Sequence, residues 1–181
     1  MQINFFDDAQ IDHLFPLTLT RPAGNLRCGI QTLAEKWCAI LKPASWGFET
    51  RDYLSEKFSA TGNADLRING RLLPCESLIH AIQALQPGQS LIDGEIILAE
   101  KHGNTKEKVI FNDSFQMLKR PYDIFLLAGS EIQRDIATLT AGRTSQKPHS
   151  SVQIIGEYPV FMEEGAKAHA CVINASNGPV Y

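Results

Sequence analysis

Two arginines six residues apart, Arg21 and Arg27, stand in a run from Leu14 to Arg27 that also holds two prolines and a Gly-Asn pair. Such a run reads as a long ordered loop. Following a first strand, it lies at the carboxyl end of the sheet, where open α/β folds bind ligands, and both guanidinium groups can meet a phosphate there. The structural alternative is that the two arginines neutralise Asp7, Asp8 or Asp12 and lock the loop. Arg71 follows Gly70 at the end of another apolar run, again a place where a doubly wound sheet sets functional groups. Asn69, beside that glycine, can instead satisfy the backbone of the turn. Lys36 falls inside a helical pattern and is either a phosphate contact or a solvated lysine on the exposed face. Asp123, in the block PYDIF, is a candidate metal carboxylate, with helix capping as its other reading.

Other chemistry is poorly supplied. His13, His80, His102, His149 and His169 share no metal-ligand spacing. His169 is either a general base or a plain surface residue. Cys28, Cys38, Cys75 and Cys171 form no CxxC pair and read as reduced structural thiols. No Gly-x-Ser-x-Gly and no Cys/His pairing points to covalent catalysis.

The elements that must carry these residues alternate. Ile3 to Phe6 is a short apolar strand broken by Asp7-Asp8. A helix from about Gly29, with Ile30, Leu33, Ala34, Trp37 and Ile40 at helical spacing, ends before Lys42-Pro43. A strand at Ala44 to Glu49 and a short helix at Tyr53 to Phe58 follow. Then come a strand at Ala64 to Ile68 and a helix at Glu76 to Leu85 closed by Pro87-Gly88. Ser90 to Ala99 reads as a strand or hairpin around Asp93-Gly94. Glu100 to Lys108 reads as a charged, exposed and mobile stretch. Val109 to Lys119 is ambiguous, Tyr122 to Leu127 is a strand or the start of a helix, and Glu131 to Leu139 is an amphipathic helix ending at Gly142. The succession predicts right-handed crossovers and a mostly parallel sheet over residues 1–150.

Arg143 to Ser151 reads as a linker, and the texture changes after it. Met162, Ala168, Asn174 and Val180 recur at six-residue steps among Gly and Ala. That period predicts the first turns of a β-helix over residues 151–181, cut short where the sequence stops, with a terminal hairpin as the alternative. Seventeen Lys and Arg against 20 Asp and Glu leave a net charge of −3, which supplies no basic stripe for nucleic acid. No apolar run reaches the ~18 to 20 residues of a membrane span, and MQINFFDDAQ lacks the features of a signal peptide. The expectation is a soluble cytoplasmic protein.

The blocks LFPLTLTRPAGNLRCGIQTLAEKW (Leu14 to Trp37), INGRLLP (Ile68 to Pro74), PYDIF (Pro121 to Phe125) and EEGAKAHACVINASNGPVY (Glu163 to Tyr181) span nearly the whole chain. On these blocks it resembles a bacterial family of sugar nucleotidyltransferase-like proteins. That family is similar in turn to the bifunctional N-acetylglucosamine-1-phosphate uridylyltransferase/glucosamine-1-phosphate acetyltransferase. The resemblance implies a nucleotide-diphospho-sugar transferase-like (Rossmann-like) domain with flanking helices, followed by a left-handed parallel β-helix that trimerises when complete. It implies attack of a sugar-1-phosphate on a nucleoside triphosphate with release of pyrophosphate, and magnesium as the assisting ion. A nucleoside triphosphate or sugar phosphate is then expected at Thr20, Arg21, Arg27, Lys36, Asn69 and Arg71.

The departures bear on activity. Active relatives carry a Gly-rich loop after the first strand, where this chain has Asp7-Asp8-Ala9-Gln10. Their Pro-Lys pair is Pro22-Ala23 here. The Gly-Asp whose carboxylate binds magnesium is replaced by Gly70-Arg71, and an arginine cannot ligate a cation. Either Arg21, Arg27, Lys36 and Arg71 form a metal-independent anion clamp, or transfer is weak or lost and the domain is a scaffold for a hexapeptide-repeat acyltransferase.

Overall fold

The computed structural model describes residues 1–104 and 106–181, in two compact units, Met1–Leu127 and Ala128–Tyr181. The division falls after Leu127.

In the first unit, β1 (Gln2–Phe6) lies between β2 (Ser45–Glu49) and β3 (Leu66–Asn69), parallel to both. The sheet continues through β5 (Ile96–Lys101), β4 (Gln89–Asp93) and β6 (Glu107–Ile110) in the order β2-β1-β3-β5-β4-β6. β5 runs against β3 and β4, and β6 is parallel to β4. The mostly parallel α/β sheet therefore matches the expectation, and Ser90 to Ala99 forms the hairpin. A central strand in such a sheet is buried on both faces, which is why Ile3 to Phe6 is an unbroken buried run.

Three local expectations are corrected. The helix α1 covers Leu33–Leu41, not a span from Gly29. Gly29 has φ +89°, outside the helical region. Thr32 starts the helix through a capping box: Glu35 N donates to its Oγ1, while Thr32 N donates to the Glu35 carboxylate. The charged stretch after Lys101 is not wholly irregular, because Glu107–Ile110 pairs with β4 as an edge strand, and exposed charges at such an edge oppose pairing with other chains. Thr105 lies outside the described residues. Finally, residues 121–140 make one helix, α4 (Pro121–Thr140), and the strand reading of Tyr122 to Leu127 falls.

The short helix α2 (Asp52–Ser55) follows β2, and α3 (Glu76–Ala84) follows β3. The main core joins Phe5, Ile68 and Leu91 of the sheet to Trp37 of α1 and to Leu78 and Ile82 of α3. A second cluster of Leu14, Leu26, Leu33, Leu73 and Leu118, with Ile124 and Leu127 against it, anchors the Leu14 to Arg27 loop. The loop is thus fixed by buried side chains as well as by the Thr18 hydroxyl, which donates to Ile11 O at 3.1 Å.

In the second unit, β7 (Gln153–Ile155) pairs in parallel with β8 (Val172–Asn174), and Val160 bridges Val180 in parallel. The expected linker is not a free spacer. Gln146 N donates to Met162 O at 2.9 Å, Met162 N donates to the Ser145 hydroxyl at 2.9 Å, and Gly165 N donates to Gln146 Oε1 at 2.9 Å. Its polar side chains satisfy backbone groups of the passing chain, so a composition that reads as linker is ordered. The six-residue step also slips, since Asn174 is exposed and Ala175 is the buried residue. Gln153 and Val172 pair 19 residues apart, one more than three hexads, and that extra residue displaces the inward position.

Candidate functional site

β1 delivers Asp7 and Asp8 to the carboxyl end of the sheet, beside the ends of β2 and β3. Asp7 Oδ1 accepts from Ala23 N at 2.9 Å and Oδ2 from the Thr50 hydroxyl at 2.6 Å, which ties the Leu14 to Arg27 loop to β1 and to the residue after β2. Asp8 Oδ1 accepts from Gln10 N at 3.1 Å, and its Oδ2 accepts from Asn69 Nδ2 at 2.8 Å and from Arg71 Nη2. Asn69 also donates to Ile97 O and accepts from Arg71 N, so one amide binds the ends of three strands. Arg71 is 0% exposed, and it reaches Gln10 Oε1 at 3.3 Å and Leu118 O at 3.4 Å besides Asp8. Its Nε has no partner among the described residues.

A backbone approach closes this corner. A Cβ on Gly70 would stand 2.9 Å from Gly24 N and 3.3 Å from Phe6 O, so only glycine lets the 23–25 turn lie against the end of β3. Beside it, a cleft of about 430 Å3 is lined by Asp7, Asp8, Glu49, Thr50, Arg51 and Arg67, among others. Arg51 is paired with Asp12, and Arg67 with Glu49 and Glu100 over the face of Phe6.

Burial raises the Asp7 carboxyl above its ordinary 3.8, with the Thr50 and Ala23 hydrogen bonds and the Arg51 charge opposing it. The folded chain then holds more protons than the unfolded chain between 3.8 and the raised value, and this contribution to stability is lost as pH rises through that window. Asp7→Asn removes the slope. Urea unfolding at a series of pH values should show the variant gaining on the parent as pH rises from below 3.8 and levelling off above the window. The opposite drift would mean that the hydrogen bonds outweigh desolvation.

The residues predicted from sequence are not brought to one point. Thr20 and Arg21 are exposed, and Arg21 has no ion pair among the described residues. Arg27 is exposed, 4.0 Å from Glu35, and bridges Thr32 through its backbone. The expected pairing of Arg21 or Arg27 with Asp7, Asp8 or Asp12 is not what forms: Asp8 takes Arg71 and Asp12 takes Arg51. Lys36, expected on the exposed face of its helix, is 4% exposed. Asn69 and Arg71 meet at Asp8. The Asp123 carboxylate accepts from Lys119 N at 2.7 Å and Arg120 N at 2.8 Å, which caps α4. His169 is exposed, with its ring 4.5 Å from that of His149. Glu49, Arg51 and Arg67 had no sequence signal of their own, whereas an Asp-Asp pair ending the first strand was visible.

Magnesium is not a good fit to these side chains. All six carboxylate oxygens of Asp7, Asp8 and Glu49 already accept hydrogen bonds, from backbone, Asn4, Thr50, Asn69, Arg67 or Arg71. Two buried or half-buried guanidinium groups occupy the positions next to them, and a divalent cation needs free hard oxygens instead. Among the described residues no group of three His, Cys, Asp or Glu is arranged to hold a metal.

A family model described as sugar nucleotidyl transferase matches residues 3–144. The chain belongs to that family. The match takes in residues of all six strands of the first unit's sheet and both strand ends that form the Asp8–Arg71 corner. The family domain also carries a nucleotidyltransferase-like function and, with it, nucleotide and sugar phosphate as the substrate classes. No curated protein matches the chain. Among the described residues no helix is long and apolar enough to cross a membrane.

Proposed function

We propose that the first unit binds a nucleoside triphosphate or sugar phosphate at the carboxyl ends of β1 to β3, and that its transfer of a nucleotidyl group to a sugar-1-phosphate is weak. The observation that carries this reading is the Asp8–Arg71 pair. It puts a buried cation where active relatives keep the metal carboxylate, and it consumes the nearest alternative carboxylate. Arg21, exposed on an anchored loop and without an ion pair among the described residues, is the group left to meet a phosphate, while Arg71 and Asn69 shape the corner behind it. The nucleotide base, uridine or thymidine, is left to the assay.

Pyrophosphate release with UTP or dTTP and a sugar-1-phosphate, with and without magnesium, tests the transfer. Release near background is expected, and rapid magnesium-dependent release would overturn the proposal. Calorimetry with UTP tests the site: Arg21→Ala should weaken binding at least about tenfold, the worth of one charged hydrogen bond. Unchanged affinity would remove the loop from the site.

A second reading, a non-catalytic scaffold for a hexapeptide-repeat acyltransferase, is favoured by the second unit. Parallel strands 19 residues apart are what one coil of a β-helix supplies to the next. On that reading the complete protein is a cytoplasmic trimer with a left-handed β-helix. Failure to bind any nucleotide would favour it.

A further inference from the structure

The helix α4 packs one side inward and leaves another in the open. Ile124 and Leu127 lie against the cluster that anchors the Leu14 to Arg27 loop. On the other side Tyr122 is 61%, Leu126 68% and Phe125 82% exposed, and Ile132 is exposed as well. Tyr122, Phe125, Gly129 and Ile132 follow one another at steps of three, four and three residues along one continuous helix. That is the spacing of the narrow seam by which two helices pair. Leu126 flanks it.

Contact with water does not account for this face. A helix side turned to solvent is ordinarily polar or charged, yet every exposed residue from Tyr122 to Gln133 is uncharged, with Arg120 and Arg134 standing beyond either end. Tyr122, Phe125 and Leu126 leave roughly 400 Å2 of apolar surface open, the size at which a patch marks an interaction site. That is about half of the roughly 800 Å2 each partner gives to a stable interface, a little over half of which is apolar. Gly129 is a separate observation. Glycine weakens a helix interior, its φ here is not positive, and a Cβ would meet nothing within 4 Å. Nothing among the described residues calls for a missing side chain at that point, whereas a second helix lying close to the backbone does.

We propose that α4 pairs antiparallel with α4 of a second copy of this chain. About a two-fold axis at the level of Leu127, Phe125 of each copy rests on Gly129 of the other, and Tyr122 meets Ile132. The stripe is thus self-complementary, as a two-fold contact requires, with the largest exposed ring set on the one position that lacks a side chain. The same helix anchors the Leu14 to Arg27 loop through Ile124 and Leu127, so pairing steadies that loop from behind.

Analytical ultracentrifugation of the full chain over a concentration series tests it. The parent should associate. Phe125→Glu, on a side chain that the fold leaves in the open, should weaken association at least about thirtyfold with an unchanged circular dichroism spectrum. Gly129→Ala should raise the melting temperature of the dilute monomer, because alanine favours a helix interior, and still weaken pairing. Phe125→Ala/Gly129→Phe exchanges the large and small positions, and should recover most of the association that Phe125→Ala and Gly129→Phe each lose. A chain that stays monomeric up to about 100 μM, or an assembly that Phe125→Glu leaves unchanged, such as a trimer formed by the second unit alone, overturns the proposal. Weakened single variants with no recovery in the double variant overturn the antiparallel pairing.

Discussion

Replacing Arg71 with alanine is expected to destabilise the first unit by roughly 3–5 kcal/mol, the cost of removing one partner from a buried ion pair. The guanidinium is fully buried, and Asp8 is 16% exposed, so water cannot replace the lost cation at low cost. Asn69 Oδ1 and the backbone of Leu118 remain, but Asp8 keeps only Gln10 N and Asn69. At about 2–4 °C per kcal/mol for a chain of this size, the melting temperature should drop by roughly 6–20 °C. Asp8→Asn should be damaging as well. Asp8→Asn/Arg71→Ala should be less damaging than the sum of the single changes, because it leaves no orphaned charge. Circular dichroism melts of the four proteins measure the coupling. Additive effects, or a drop under about 2 °C for Arg71→Ala, would mean that Arg71 is not holding the corner and is available to a ligand, which would return it to the anion clamp.

Trp37→Ala should cost about as much, roughly 3–5 kcal/mol, for a different reason. Trp37 is fully buried in the main core, and its Nε1 donates to Leu72 O at 3.0 Å. The block ending in Glu35-Lys36-Trp37 is thereby joined to the block Ile68 to Pro74. Trp37→Phe separates the two contributions: it keeps most of the apolar contact but strands a buried carbonyl, for roughly 1–3 kcal/mol. Urea midpoints should fall in that order with the slope unchanged. Affinity for UTP, measured on folded protein, should be the same for Trp37→Phe as for the parent. A variant that unfolds normally but loses UTP would place the tryptophan in binding and not in support.

These two outcomes bear on why the family blocks read so clearly. Asn69 and Arg71 stand out in sequence as chemistry-bearing residues beside a glycine, and Trp37 as the end of a family block, yet what they touch is the protein itself. The alternating pattern of short apolar runs and helical stretches determined the α/β class, the β4–β5 hairpin and the helices α1 and α3. Local physics suffices for these, since periodicity and capping act over a few residues. The capping box at Thr32 was equally local and gives the true start of α1, where apolar spacing alone extends it to Gly29.

What the tertiary structure decided is everything that depends on strands distant in sequence. Asp8 meets Arg71 across 63 residues, and Arg67 meets Glu49 and Glu100 across 18 and 33, so no spacing rule connects them. The parallel register of β1 and β3 makes the first encounter, placing Phe6 opposite Asn69 and hence the residues that follow each strand side by side, and the antiparallel pairing of β3 with β5 sets Arg67 opposite Glu100. Sequence alone named Asp7, Asp8 and Arg71 at the carboxyl end of the sheet, and not Glu49, Arg51 or Arg67. Which are sealed as mutual partners, and which stay open to a phosphate, followed from burial, because a buried charge must be paired and an exposed one need not be.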